Sequence, residues 1–175
     1  MRGLPSSSEE TMSDLRVGIA GATGAVGKEI LKVLSAAPWS PDEIVPLASD
    51  RTSVSFVEYK ERQIAVDQLS DQAIEDLDLL FLAVPIDVAH STGLLAMDEG
   101  ISVVDVTGVF SDDPEVPVVV PWVNPEVLAE PPPKDMFSLP LPEVGLLGPI
   151  LSALFRSSIV GEVDATVLVP ASLSG

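Results

Sequence analysis

The chain has 175 residues, 46% of them apolar, no cysteine, and a formal charge of −18 from 9 Lys and Arg against 27 Asp and Glu. That is enough for one well-buried core and short for a two-domain enzyme. It excludes a disulfide framework, a thiolate metal site and a thiol nucleophile, and the lack of a basic stripe argues against nucleic acid as a partner. The acids are dispersed and His90 is the only histidine, so no metal-ligand cluster emerges.

In chain order, residues 1–13 contain one arginine, two adjacent acids and no apolar h-region. They read as a disordered leader rather than a signal peptide, with Met12 a second candidate start. No apolar run approaches the roughly eighteen residues of a membrane span. A soluble, cytoplasmic protein with no membrane partner is the expectation, with a single domain over residues 14–175. Leu15 to Ala20 is a β-rich run, Gly21 to Gly27 reads GATGAVG, and Ile30, Leu31, Val33 and Leu34 then form a helical stripe. A second strand is predicted over Glu43 to Ala48. Val54 to Tyr59 and Gln63 to Val66 are predicted to pair as a hairpin around KER.

The run LDLLFLAVP has the continuous apolar character of a strand buried on both faces of a parallel sheet. A helix is predicted over Asp87 to Glu99, with Asp87 as N-cap and Gly100 as its end. ISVVDVTG and VPVVVPWVN read as further strands, and PEVLAEPPPKD as a short helix with a proline loop. A strand-like run precedes SLPLPEVG, a helix is expected over Val144 to Arg156, and a last strand over Ala165 to Val169. Alternating strands and helices predict an α/β fold: a Rossmann-like, doubly wound, mainly parallel sheet with right-handed crossovers and its site at the strands' carboxyl ends.

The glycine turn is the strongest chemical signal. Gly21, Gly24 and Gly27 follow a strand and open a helix, which lets the backbone turn tightly, approach a pyrophosphate and pack helix on strand. The candidate cofactor-binding residues are Gly21, Thr23, Gly24, Ala25, Val26 and Gly27, joined after the second strand by Ser49, Arg51 and Thr52 in LASDRTS. Asp50 there could accept from ribose hydroxyls and favour NAD, whereas Ser49, Arg51 and Thr52 could hold a 2′-phosphate. NADP is therefore the expected cofactor, with NAD the alternative. His90 reads as a surface or capping residue of its helix rather than an acid or base, and Trp122 as a core aromatic.

GIAGATGAVG, LASDRTS, LFLAVP, VVDVTGVFSDDPEVPVVVPWVNPEVL and the terminal ASLSG resemble, in order and spacing, the aspartate-β-semialdehyde dehydrogenase family. Its members reductively dephosphorylate aspartyl phosphate with NADPH, in amino-acid biosynthesis. The resemblance runs from about residue 14 onward, and DPEVPVVVPWVNPEVL separates this family from the N-acetyl-glutamyl-phosphate reductases. It implies an Asn-Pro-Asn-Cys loop where this chain has Leu139-Pro140-Leu141-Pro142, so proline stands where the nucleophile is expected. Ser111 stands in place of a phosphate-clamping arginine, Trp122 of a glutamate, and Ala171 of an acyl-orienting glutamine. The family's second half, with its histidine and dimer interface, follows the point where this sequence stops. The resemblance therefore implies a dinucleotide-binding relative with no catalytic residue of its own, inactive or truncated. The apolar 139–142 loop is expected to pack a disused pocket shut. The alternative is an interaction module docking on an intact homologue or other partner, with association into a homo- or hetero-oligomer through an uncovered apolar face.

Overall fold

The computed structural model describes residues 15–38, 40–41, 43–49, 55–157 and 161–168. The expected leader, Arg51, Thr52 and Ala171 lie outside the described residues. Among the described residues the first element is β1 (Arg16–Ala20), followed by α1 (Ala25–Ala36) and β2 (Glu43–Ala48). A hairpin of β3 (Phe56–Tyr59) and β4 (Arg62–Ala65) leads to the two-residue β5 (Asp67–Gln68) and the single helical turn α2 (Asp71–Ile74). Then come β6 (Leu79–Leu82), α3 (Ile86–Asp98), β7 (Ser102–Asp105), a 3-10 turn at Pro125–Leu128, β8 (Met136–Ser138) and α4 (Pro142–Arg156).

Among the described residues six strands form one sheet in the order β5-β2-β1-β6-β7-β8, and every pairing in it is parallel. From β1 in the middle the sheet winds outward to β2 and β5, then the chain crosses back to build β6, β7 and β8 on the other side. This is the doubly wound topology, and its switch point lies between β1 and β6. Alternation along the strands divides the core into two layers. Val17, Ile19 and Ile44 face α1 and the hairpin, meeting Leu31, Leu34, Val57 and Tyr59. Ala20, Val45, Leu47, Leu80, Leu82 and Val103 face the opposite side with Ile74, Ala96 and Ile101.

The ends of the helices follow from their sequences. Gly100, at φ +72, closes α3: its N–H donates to Met97 and that of Ile101 to Ala96, the paired bonds of a Schellman motif. The N-cap of α3 is Pro85 and not the expected Asp87, which sits in the first turn; there its charge still favours the helix N-terminus. VPVVVPWVN forms no strand. It makes one isolated bridge, Val118 to Ser138, on the outer edge of β8, because Pro117 and Pro121 cannot donate to a ladder. The expected last strand is also absent among residues 161–168, which are exposed and without regular structure. α4 differs from the other long helices in burying none of its residues. It lies near the 120–123 segment, where a Cβ on Gly148 would come within 3.2 Å of Val120.

Candidate functional site

The switch point is built from backbone. Gly21 leaves β1 at φ +87, a conformation that L side chains rarely adopt. Its N–H and that of Ala22 both donate to the Leu47 carbonyl, at 2.9 and 3.2 Å, which ties the turn to the end of β2. Gly24 then donates to Gly21 (2.9 Å) and serves as the N-cap of α1 with no side-chain cap. The first helical bond comes from Lys28 to Gly24, so the amides of Ala25, Val26 and Gly27 precede the intrahelical ladder. Those amides and the helix dipole make an anion-binding terminus. Gly24, Ala25 and Val26 are exposed, while Gly27 is buried.

Close approach explains two of the glycines. A Cβ on Gly21 would lie 2.1 Å from the Ala83 carbonyl oxygen, and one on Gly27 would lie 2.2 Å from the Gly21 oxygen and 2.7 Å from Ala22 Cα. Neither site has room for a methyl group. The opposite lip of the crevice is Ala83 to Pro85, where β6 ends and α3 begins. Ala83 donates to Ala20, the last residue of β1. The sequence reading did not place these residues in the site; the exit of the strand beside β1 would have been the signal. Ser49 is exposed at the carboxyl end of β2, on the same edge of the sheet.

Further along that edge, Asp105 organises the exit of β7. Its carboxylate is fully buried and accepts five hydrogen bonds. Oδ1 accepts from Thr107 N (2.8 Å), Thr107 Oγ1 (2.6 Å) and Gly108 N (3.2 Å); Oδ2 accepts from Phe110 N (3.1 Å) and Ser138 Oγ (2.8 Å). One side chain thus folds the 105–110 turn and fastens it to β8. The lone acid in the apolar run SVVDV was the available clue. Leu139 N adds a bond to the Asp105 carbonyl at 2.8 Å, which places the 139–142 loop at the strands' carboxyl ends.

That loop does not close a pocket. Leu139 and Pro140 are half-buried, but Leu141 is 48% exposed and Pro142 is exposed as the first residue of α4. The expectation that the loop packs shut fails for Leu141 and Pro142, because α4 leads away without burying a residue. Ser111 N donates to Gly108 in the adjoining turn. His90 is exposed on α3 with its ring stacked on Phe110, centroids 5.5 Å apart and planes 8° apart. Beyond them Lys134 Nζ bridges Asp113 (2.7 Å) and Glu115 (3.2 Å). The hydrogen bond from Lys134 holds the Asp113 carboxyl below the usual carboxylate range, and the same bond raises the Lys134 ammonium above its ordinary value.

Trp122 is 81% exposed, contrary to its expected place in the core. Its φ is +62, and Val123 N donates to Val120 across it. Pro followed by a positive φ is the pattern of a type II turn. The Asn124 amide holds this turn, accepting from Val120 N (2.7 Å) and donating to the Val118 carbonyl (2.8 Å). The indole is thereby turned outward. Among the described residues there is no group of three His, Cys, Asp or Glu suited to a metal ion, and no helix is long and apolar enough to cross a membrane.

A doubly wound parallel sheet with a glycine turn at its switch point defines a dinucleotide-binding α/β domain. Comparison with known proteins narrows that class. Residues 16–130 match the family model described as semialdehyde dehydrogenase, NAD binding domain, and the chain belongs to that family. An aspartate-semialdehyde dehydrogenase of Campylobacter jejuni is 35% identical over 113 residues, covering 63% of this chain and 33% of that protein. One from Shewanella violacea is 30% identical over 117 residues, covering 67% and 35%. The crystal structure of aspartate semialdehyde dehydrogenase II from Vibrio cholerae, complexed with ASA, superposes with a TM-score of 0.75 at 26% identity, covering 82% of this chain and 48% of that one. The chain spans about a third of the length of the curated relatives it matches.

Proposed function

We propose that this domain binds NADP, with NAD the weaker alternative, as the nucleotide-holding part of an aspartate-semialdehyde dehydrogenase-type protein, and that its own loop supplies no nucleophile. The observation that carries the reading is the side-chain-free approach of Gly21 to Ala83 and of Gly27 to Gly21. Those contacts fix the tight turn and the close packing of α1 on β1, which hold the exposed amides at the start of α1 where a pyrophosphate would lie. In this reading the amides of Thr23 to Val26 hold the phosphates, Ser49, Arg51 and Thr52 meet the adenosine ribose and its 2′-phosphate, and the cofactor supplies hydride chemistry when bound.

The absence of a catalytic group rests on the 139–142 loop. Its residues are Leu, Pro, Leu and Pro, none with a nucleophilic atom. The adjoining hydroxyl, that of Ser138, is fully buried, out of reach of a substrate, and donates to an Asp105 carboxylate already committed to four other donors. Calorimetry with both nucleotides tests the binding. Arg51→Ala is expected to weaken NADP more than NAD by about 1.5–3 kcal/mol, the worth of a hydrogen bond to a charged group; equal losses would make Arg51 structural. Purified protein should show no phosphate-dependent oxidation of aspartate semialdehyde, and Pro142→Cys alone should stay silent, because residues that act as a unit do not restore activity singly.

A second reading, an interaction module that needs no nucleotide, is favoured by α4, on which Leu146 is 70% and Ile150 54% exposed. Folded protein giving no heat with either nucleotide would select it.

A further inference from the structure

The sequence of α4 does little by itself to hold a helix together. Its 15 residues include Gly145, Gly148 and Pro149. The glycines cost backbone entropy when they are ordered, and the proline removes a hydrogen bond from the helix interior. Such a helix depends on the packing of an apolar face. Yet α4 buries none of its residues.

The contacts that α4 does make lie on one side. A Cβ on Gly148 would meet Val120 and Val123, and one on Gly145 would meet Pro140. Gly148 is two residues from Ile150, about 200° around the helix. The side turned away from the body therefore carries Ile150, with Leu146 and Leu154 four residues before and after it, and all three are exposed. At that spacing they form one row along the helix. Ile150 stands at its midpoint.

Charge selects what can cover this row. The chain has a formal charge of −18, so copies repel one another over most of their surface. α4 carries two charges of opposite sign, Glu143 in its first turn and Arg156 in its last. Neither takes part in an ion pair among the described residues. Arg156 donates to the Val123 carbonyl at 3.4 Å, a neutral acceptor that leaves its charge uncompensated. Two copies of α4 packed antiparallel about a twofold axis at Ile150 would bring Leu146 of each against the partner's Leu154, and Glu143 of each to the end that holds the partner's Arg156. The helix dipoles would oppose as well. A parallel pair would instead set like charges together, and a partner of one sign throughout would meet one end unfavourably.

We propose that the exposed row of α4 is a self-association surface, on which a second copy of this chain docks its own α4 antiparallel, with Ile150 at the twofold axis and Glu143 facing the partner's Arg156. The interface uses no residue of the second half in which the resemblance places the family's dimer contacts, and it does not rest on nucleotide binding.

The chain has no cysteine, so one introduced thiol reports the geometry without interference. In sedimentation the full 175-residue chain is expected to show a concentration-dependent dimer. Under mild oxidation Ile150→Cys should cross-link to itself and Leu146→Cys should not, whereas Leu146→Cys mixed with Leu154→Cys should form the mixed disulfide. Glu143→Arg should weaken association by about tenfold, as two symmetric pairs turn from attraction to repulsion. Adding Arg156→Glu should restore it, because opposite charges again meet across the axis. If the two charges served only the dipole of their own helix, the doubly reversed protein would be the worst of the series. A monomer at every concentration, cross-linking of Ile150→Cys no faster than of Val33→Cys at an exposed position of α1, or a swap that restores nothing would each overturn the proposal. Titration of the Ile150→Asp monomer with NADP reads the nucleotide proposal separately, so the failure of one is distinguishable from the failure of the other.

Discussion

Two of the junctions at which the chain passes from strand to helix on one edge of the sheet, β1 to α1 and β8 to α4, are built on opposite terms. Between β1 and α1 everything is set by what is missing: Gly21 and Gly27 leave no room for a methyl group, and backbone meets backbone across the turn. Between β8 and α4 the base is fixed by the buried Asp105 carboxylate, but one step further the chain reaches solvent at Leu141 and Pro142. The first junction is over-determined along its whole length. The second is rigid only where Asp105 reaches, so its tip carries no packing demand that would restrict which residues stand there. A site can thus keep its nucleotide-facing architecture while residues at the neighbouring loop change at little cost in stability.

Four substitutions break or sharpen this contrast. The largest effect is expected at the base of the second junction, where Asp105→Ala leaves three backbone N–H groups and two hydroxyls without their acceptor. A loss of about 4 kcal/mol or more in urea unfolding follows from the desolvation cost of such orphaned groups; a loss near 1 would mean the turn can re-pair itself. Next, Gly27→Ala drives a methyl group into the backbone of Gly21 and Ala22 and should cost about 2–3 kcal/mol by overpacking, with NADP affinity falling in the same protein. Leu141→Gln, at the open tip, should change stability by no more than about 0.5 kcal/mol, as surface substitutions do. A larger loss would show that this tip is packed after all.

The smallest effect is electrostatic. Asp113 has a lowered pKa in the fold because Lys134 donates to it, so its contribution is present above the ordinary carboxylate value and is lost as pH falls through the lowered one. Wild type should therefore hold a small lead over Asp113→Asn at neutral pH that vanishes in acid. A lead that persists in acid would assign Asp113 a packing role.

What the sequence made legible was what depends on neighbours along the chain. β2 was expected over Glu43 to Ala48 and lies there, and the helix read from Lys28 to Ala36 ends as expected but begins three residues earlier, at Ala25. Helix starts and glycine turns are local chemistry. Ala83 to Pro85 and the five donors around Asp105 were not legible, because strand order brings them together rather than sequence spacing. Trp122 was misjudged for a related reason: composition favours burying an aromatic, but the turn that Asn124 holds gives it φ +62 and points it outward. VPVVVPWVN has the apolar content of a strand, yet its prolines interrupt the donors a ladder needs.

Those same prolines protect the molecule from its own sheet. An outer strand such as β8 presents a row of peptide groups that can template pairing with another chain. Here Pro117 O and Val119 N engage Ser138, and on the following stretch the Asn124 amide occupies Val118 O and Val120 N. A newcomer strand therefore meets peptide groups already engaged, flanked by two residues with no N–H to offer. Resistance to edge-to-edge pairing is thus built into a short irregular segment, whose outward peptide groups are occupied by the Asn124 side chain.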